Sequence, residues 1–203
     1  MPFTSVMGAQ SIIKPGVATS GTRPASPFNG QVLYETDTAK IVSWNGSAWV
    51  YTAAVVATTA IFNETQASGT EGGTFTGGSY VKRTLNTTVI NNIVGCTLTA
   101  SVISLPAGTY EVSSSAPAFR VDRHKSRLQN TSDAATLQIG SSEFANVNVT
   151  NKSFVNAVFT LAATKNIELQ HRCETTMVTQ GLGVATSFGD SETYATITIT
   201  KVA

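Results

Sequence analysis

Apolar and polar residues alternate through most of residues 79–203, in short runs that end at turn residues. In the last run, "TYATITITKV", Ala195, Ile197 and Ile199 fall on one side of an extended strand, while Tyr194 and the threonines fall on the other. Similar runs are "YVKRTLNTTVI", "CTLTASVISL", "TYEVSSSAPAF", "LQIG", "SFVNAVFTL" and "NIELQHRC". No apolar stripe of helical period accompanies them. The pattern predicts an all-β chain in which residues 79–203 form a jelly-roll β-sandwich.

A second β-rich stretch, "VLYETDTAKIVSWNGSAWV", lies within residues 30–52 and predicts a three-stranded β-meander. Asn45-Gly46 is its strongest hairpin signal, because both residues accept a positive φ. With a four-residue loop, Trp44 and Trp49 face each other across two strands. So small a sheet has no core of its own. We therefore expect the indoles to be covered from outside the motif, by sister chains, a larger assembly or the sandwich.

The remaining residues are predicted to connect or extend these two parts. Residues 1–29 contain four prolines and scattered Gly and Ser, which predict an extended N-terminal arm. Residues 53–78 begin apolar and end in "SGTEGGTFTGG", which predicts a flexible linker or short stalk.

Composition narrows the function classes. Only 12% of the residues are charged and the formal net charge is +1, which gives no electrostatic basis for binding nucleic acid. No segment is apolar and long enough for membrane insertion, and the N-terminal residues do not resemble a secretory signal. Cys96 and Cys173 are expected to be buried and reduced. We expect no cofactor.

The segment Arg23–Val50, "RPASPFNGQVLYETDTAKIVSWNGSAWV", resembles a segment found in structural proteins of tailed bacteriophages. There, a "RPxSPxxGQxxYETDT…WNGSAWV" pattern is common in tail, fibre and head-surface proteins. The resemblance implies a virion location and attachment to other virion proteins through the N-terminal segment. It designates Tyr34, Trp44 and Trp49 as the residues expected to dock on the virion.

Residues from about Gln66 to Val202 resemble phage fibre tips of similar length. The likeness is carried by "SGTEGGTFTGGSYVKRTLNT", "LPAGTYEVSSSAPAFRVDRHKSRLQN", "IELQHRC" and "TYATITITKV". Such tips are similar to the trimeric jelly rolls of complement globular heads and tumour-necrosis-factor ligands. A homotrimer is implied by this resemblance alone.

Charge is concentrated in "FRVDRHKSRLQN", with a smaller group in "ELQHRCE". On one strand, Arg120, Asp122 and His124 would share one face, and Arg123, Lys125 and Arg127 would share the other. Both faces cannot be apolar core, so at least one meets water, another subunit or a ligand. The candidate polar residues of the two groups are Arg120, Asp122, Arg123, His124, His171, Arg172 and Glu174. Three interpretations remain open: a solvated surface, an intersubunit network in which Asp122 and Glu174 accept from Arg123 and Arg172, and an anion or sugar site.

Catalytic and metal sites are not expected. The sequence "HRC" offers too few ligands for a closed zinc site, and no G-x-S-x-G elbow occurs. Asp122 and Glu174 are conceivable as a glycosidase pair, but flanking arginines would leave neither as a general acid.

The sequence thus predicts a non-enzymatic homotrimeric structural protein on a phage virion, as a tail fibre or a head decoration. One alternative is a module that binds host polysaccharide, for which Tyr80, Phe144 and Tyr194 are the candidate stacking aromatics. A glycan hydrolase is the remaining alternative.

Overall fold

The computed structural model describes residues 15–51 and 58–202. The chain divides into two compact units, residues 1–54 and 55–203. The described residues are all-β, with strands and turns and no helix, so none could span a membrane as a helix. The strands are β1 Gly16–Ala18, β2 Val32–Glu35, β3 Lys40–Trp44, β4 Trp49–Tyr51, β5 Thr58–Gln66, β6 Val81–Lys82, β7 Thr87–Asn91, β8 Thr97–Thr99, β9 Val102–Leu105, β10 Gly108–Phe119, β11 Asp122–Asn130, β12 Ala135–Ile139, β13 Glu143–Ala145, β14 Thr150–Leu161, β15 Lys165–Cys173 and β16 Glu192–Lys201.

The N-terminal unit is a four-stranded sheet of order β1-β2-β3-β4, which we call the small sheet. The hairpin between β3 and β4 has the register predicted from the sequence, with Trp44 directly opposite Trp49. Their ring centroids are 5.7 Å apart in an edge-to-face arrangement. Gly46 takes a φ of 99°, as the turn requires, and the Asn45 side-chain oxygen accepts from the backbone N–H groups of Ser47 and Ala48.

The predicted extended arm over residues 1–29 is wrong for its described part. Gly16–Ala18 pairs with β2 in parallel, so the sheet has four strands rather than three. The segment between β1 and β2 also folds back: Ser20 donates to the Asp37 carboxylate, and Arg23 forms an ion pair with Glu35. Residues 1–14 lie outside the described residues.

The two faces of the small sheet differ. Cross-strand partners place Leu33, Val42 and the tryptophan pair on one face, where Leu33 and Val42 are buried and the indoles are half-buried. On this face the buried Glu35 carboxylate binds Arg23 and holds the β1–β2 segment against the sheet. Arg23 lies outside residues 30–52 but in the same unit, and cover of the indoles by sister chains, a larger assembly or the sandwich stays a prediction.

The C-terminal unit is a jelly-roll β-sandwich, as predicted. A five-stranded sheet of order β14-β10-β16-β5-β7 faces a seven-stranded sheet. Five strands of the second sheet follow the order β12-β11-β15-β9-β8, and the other two, β13 and β6, pair with β11 and β15. Inward residues of both sheets form the core, which includes Phe62, Tyr110, Leu128, Leu169 and Ile197.

The predicted linker over residues 53–78 is wrong for its described part. Thr58–Gln66 is a strand between β16 and β7 in the five-stranded sheet, and Phe75 is fully buried in a second apolar cluster. Glycine is used here for close packing, since a Cβ on Gly77 would lie 2.5 Å from the Glu174 carbonyl oxygen. Residues 52–57 lie outside the described residues.

Two further strand predictions are corrected. The run "YVKRTLNTTVI" is not one strand, because β6 pairs with β15 in one sheet and β7 pairs with β5 in the other. Tyr194 does not face outward: β16 is irregular between Thr193 and Thr196, and this interrupts the alternation. Tyr194 is therefore buried, and its hydroxyl donates to the Thr70 carbonyl oxygen at 2.6 Å.

Candidate functional site

A concave groove of about 940 Å³ lies beside β11, β13 and the end of β15. We call it the basic groove. Its lining includes Tyr80, Lys125, Glu143, Phe144, Asn151 and Arg172. The two charged groups that the sequence singled out meet here, because β11 and β15 are antiparallel neighbours and His124 is in register with Cys173.

Basic side chains crowd the solvent-facing side of these two strands. Arg123 donates to the Glu174 carboxylate at 3.1 Å. Lys125 lies directly opposite Arg172 in the β11–β15 register, and neither forms an ion pair among the described residues. Like charges directly opposite each other destabilise a sheet, so the groove favours an added negative charge.

Arg127 lies next along the same strand face and stacks on Tyr80. Its guanidinium carbon is 3.9 Å from the ring centroid, and its Nε donates to the Gln170 side-chain oxygen at 2.9 Å. Tyr80 is half-buried by this contact, whereas Phe144 remains 51% exposed. Of the three aromatics proposed for sugar stacking, only Phe144 is freely accessible.

Two buried histidines pair in the sandwich, and one of them, His124, lines the basic groove. His124 and His171 are joined by a 3.0 Å hydrogen bond between Nδ1 of His124 and Nε2 of His171. The other nitrogen of His124, Nε2, lies 2.6 Å from the Asn151 side-chain oxygen, which can only accept. His124 is therefore protonated on Nε2, and His171 donates from its own Nε2 to His124 Nδ1. The remaining His171 nitrogen, Nδ1, is buried without a partner among the described residues.

Both histidines are held neutral by their surroundings. Burial lowers the pKa of His171 well below its ordinary value, and the positive charge of Arg83 and the nearby His124 lower it further. Burial also lowers the pKa of His124, although the hydrogen bond to Asn151 opposes this shift. The pair is thus a polar element of the core, and Phe75 packs on His171 with ring centroids 4.7 Å apart.

Arg83 and Glu64 form a fully buried ion pair that the sequence analysis missed. The Arg83 Nη2 and Glu64 Oε2 atoms are 2.5 Å apart, and both side chains are 0% exposed. Arg83 also donates to the carbonyl oxygens of Pro117 and Leu182 at 3.1 and 2.9 Å. The only sequence signal is a charged residue inside an otherwise strand-like run, and that pattern does not distinguish a buried arginine from an exposed one.

Arg120 and Asp122 are not arranged as predicted. Both take a positive φ, 54° and 58°, around the buried Val121, so a tight bend joins β10 to β11 here. Arg120 is exposed and packs beside the Phe119 ring, outside the basic groove. Asp122 accepts from the Thr175 hydroxyl at 2.5 Å. Arg120 lies before β11, so the strand face predicted for Arg120, Asp122 and His124 is wrong for Arg120.

The residues expected to dock on the virion lie on opposite faces of the small sheet. Tyr34 pairs with Val17 and Ile41, whereas Trp44 and Trp49 are on the face of Leu33. The Tyr34 face carries no charged side chain in its two central cross-strand rows. Its apolar members are between 38% and 69% exposed: Val17, Val32, Tyr34, Ile41 and Val50.

Cys96 and Cys173 are buried and free, and burial raises the pKa of each thiol to about 11. Within residues 15–51 and 58–202, no group of His, Cys, Asp and Glu side chains has the arrangement of a metal site.

No protein-family model matches the sequence, and a search of curated proteins gives no match. Among solved structures, the chain is similar to murine APRIL at pH 5.0, with 10% identity and a TM-score of 0.49 over 72% of this chain and 99% of that one. The globular domain of zebrafish complement 1qA has 14% identity and a TM-score of 0.45, over 72% and 97%. The PRD1 vertex protein P5 has 14% identity and a TM-score of 0.40, over 74% and 100%. At these identities, the likeness concerns the fold alone.

Proposed function

We propose that the chain is a non-enzymatic, homotrimeric structural protein on the surface of a phage virion, anchored by the small sheet and projecting the β-sandwich. The observation that carries the proposal is the coincidence of two features in one segment. Arg23–Val50 resembles segments of tailed-phage structural proteins, and the same segment supplies most of an uncovered apolar sheet face.

The docking surface is the face that carries Val17, Val32, Tyr34, Ile41 and Val50. Contiguous exposed apolar residues of this kind are typical of a protein–protein interface. The charged residues of the sheet lie elsewhere, with Glu35 and Lys40 on the opposite face. The occupant is therefore an uncharged, apolar surface of another virion protein. This moves the proposed docking contact from the tryptophan pair to Tyr34 and its neighbours.

Self-association of the sandwich is supported by its edge strand β14. Phe154 and Val158 point outward from this strand and are 51% and 72% exposed. Exposed apolar side chains grouped on one strand are typical of a protein–protein interface. Closed rotational symmetry buries such a patch in every copy.

Two substitutions test the anchor and the trimer separately. Ile41→Asp should abolish incorporation into virions without changing the sandwich, whereas Val178→Asp, at an exposed valine of the sandwich, should be incorporated normally. Phe154→Asp should convert a trimer to a monomer in sedimentation analysis. A parent chain that sediments as a monomer at micromolar concentration would contradict the homotrimer, and immunogold labelling that finds no chain on the particle would contradict the virion role.

The basic groove favours a second candidate function, the recognition of a host surface polysaccharide. It combines an accessible aromatic ring, cationic side chains and a concave shape. A glycan array tests this candidate. If the chain binds no glycan, polysaccharide recognition is contradicted and only the structural role remains.

A further inference from the structure

The pair of Lys125 and Arg172 is the least neutralised part of the basic groove. Neighbouring basic residues on the same sheet have acidic partners, with Lys82 at 3.7 Å from Glu168 and Arg123 at 3.1 Å from Glu174. Lys125 and Arg172 have none among the described residues and lie directly opposite each other. Two adjacent cations without a counter-charge are a place where an anion lowers the free energy of the protein.

The register of the two strands determines which anions fit. Side chains of directly opposed residues start about 5 Å apart, so the ammonium and guanidinium groups can converge on one small anion. The planar guanidinium of Arg172 matches the two oxygens of a carboxylate, and Lys125 adds a second positive charge.

Phe144 gives the basic groove an apolar wall beside this cation pair. Phe144, on strand β13, is in register with Arg123 of the neighbouring strand β11, and the residue is 51% exposed. A pyranose ring presents C–H groups that pack on an aromatic face, whereas phosphate or sulfate alone would leave the ring uncovered. Glu143 also lines the groove and disfavours a doubly charged group such as phosphate relative to a singly charged carboxylate.

We propose that the basic groove binds a carboxylate-bearing saccharide residue, with Lys125 and Arg172 holding the carboxylate and Phe144 packing on the sugar ring. The ligand class is an acidic polysaccharide built from hexuronic acids. This inference names the ligand class for the second candidate function and rests on that function, polysaccharide recognition.

A matched pair of tetrasaccharides tests the proposal on the full chain. The β-1,4-linked tetramer of glucuronic acid differs from cellotetraose only in carrying carboxylates at C6. Isothermal titration calorimetry should show binding of the glucuronic acid tetramer that is at least about tenfold tighter than that of cellotetraose. This preference should shrink at high salt, where exposed charges are screened.

Variants locate the site. Lys125→Gln and Arg172→Gln should each weaken binding of the glucuronic acid tetramer by about tenfold or more, because each removes a charge-assisted contact. Phe144→Ala should weaken binding of both tetramers. Lys165→Gln is the matched control, since Lys165 lies at the other end of β15 and should bind as the parent does. Circular dichroism confirms that each variant keeps the parent fold.

The outcomes distinguish failure of the proposed ligand class from failure of polysaccharide recognition itself. Equal binding of the two tetramers would overturn the carboxylate class and leave polysaccharide recognition standing. Failure to bind either tetramer, together with a blank glycan array, would overturn both. Competition by inorganic phosphate at the same concentration as the tetramer would reduce the site to a simple anion site, and unchanged binding by Arg172→Gln would place the ligand elsewhere.

Discussion

Each unit of the molecule contains an Arg–Glu ion pair whose glutamate is fully buried, and these two pairs differ in the exposure of the arginine. In the sandwich, Arg83 and Glu64 are both 0% exposed. In the small sheet, Glu35 is equally buried, but the Arg23 side chain is 25% exposed. Both arginines hold a segment in place, Arg83 through the carbonyl oxygens of Pro117 and Leu182 and Arg23 through the β1–β2 segment that contains it.

From this difference we expect the burial of an ion pair, rather than its contact distance, to determine how much its loss destabilises the fold. Removing water from Arg83 carries a large free-energy cost, which only a complete set of acceptors offsets. Burial accordingly lowers the pKa of Arg83. Arg23 keeps contact with solvent, and the hydrogen bond to Glu35 instead raises its pKa. Arg83, Arg23 and Arg123 together span burial from complete to nearly absent, with side chains that are 0%, 25% and 79% exposed.

The largest effect is expected for Arg83→Met. This change leaves the Glu64 carboxylate buried without its partner and removes the donors to two carbonyl oxygens. The free energy of unfolding of the sandwich should fall by about 3–5 kcal/mol, as for other buried pairs that lose one partner. Denaturant titration followed by far-ultraviolet circular dichroism measures this change.

Arg23→Met is the matched variant in the small sheet. The two tryptophans of the chain both lie there, so their fluorescence reports on this unit alone. Arg23→Met should lower the denaturant midpoint reported by tryptophan fluorescence and leave the unfolding transition of the sandwich unchanged.

A second substitution tests the explanation given for Arg83→Met. Adding Glu64→Leu to Arg83→Met removes the unpaired carboxylate and should recover part of the lost free energy of unfolding. A loss below 1 kcal/mol for Arg83→Met would contradict the importance assigned to burial.

The contrast between the units also explains which features the sequence predicts. The hairpin at Asn45-Gly46 and the facing tryptophans depend on neighbouring residues, so that local turn chemistry specifies them. Strand β1 depends on a parallel partner beyond a long loop, and its residues Gly16–Ala18 carry no alternation. Nothing local distinguishes these residues from an extended arm.

The same limit applies to the sandwich and its candidate site. The charged groups of β11 and β15 are visible in the sequence, but only the antiparallel register brings Lys125 opposite Arg172. The glycine-rich segment resembles a flexible linker in sequence, because the sequence does not distinguish a glycine needed for close packing from one that confers flexibility. Arg83 and Glu64 carry no periodic signal, since Arg83 follows β6 and Glu64 lies on β5, and only the folded chain brings the two together.

A smaller effect is expected from acidification, through His171. Its pKa is lowered by burial, by Arg83 and by His124, so the folded chain keeps it neutral where an unfolded chain, with the ordinary value of 6.5, takes up a proton. Stability should therefore be unaffected above that pH and decrease as pH falls below it. For one proton the decrease is at most about 1.4 kcal/mol per pH unit.

His171→Gln tests this dependence, because the glutamine amide can still donate to His124 but cannot titrate. The parent should lose stability more steeply than His171→Gln between pH 6.5 and 5. The Glu192 carboxylate does not affect stability between pH 6.5 and 5. Backbone N–H groups of Thr186, Gly69 and Ser187 lower its pKa to about 2, so its contribution to the free energy of unfolding is lost only as pH falls below the ordinary value of 4.5. Equal slopes for the two chains would show that His171 is protonated in the folded state.

The smallest effect is expected for the exposed pair of Arg123 and Glu174 at the rim of the basic groove. Their side chains are 79% and 47% exposed, and exposed pairs of this kind contribute about 0–1 kcal/mol. A double-mutant cycle with Arg123→Gln and Glu174→Gln measures the coupling, which should decrease further at high salt. A coupling above about 2 kcal/mol would mean that another chain buries the pair, because solvent no longer screens it. The cycle thus tests the intersubunit network suggested by the sequence, and a small coupling leaves this rim open to solvent and to a ligand.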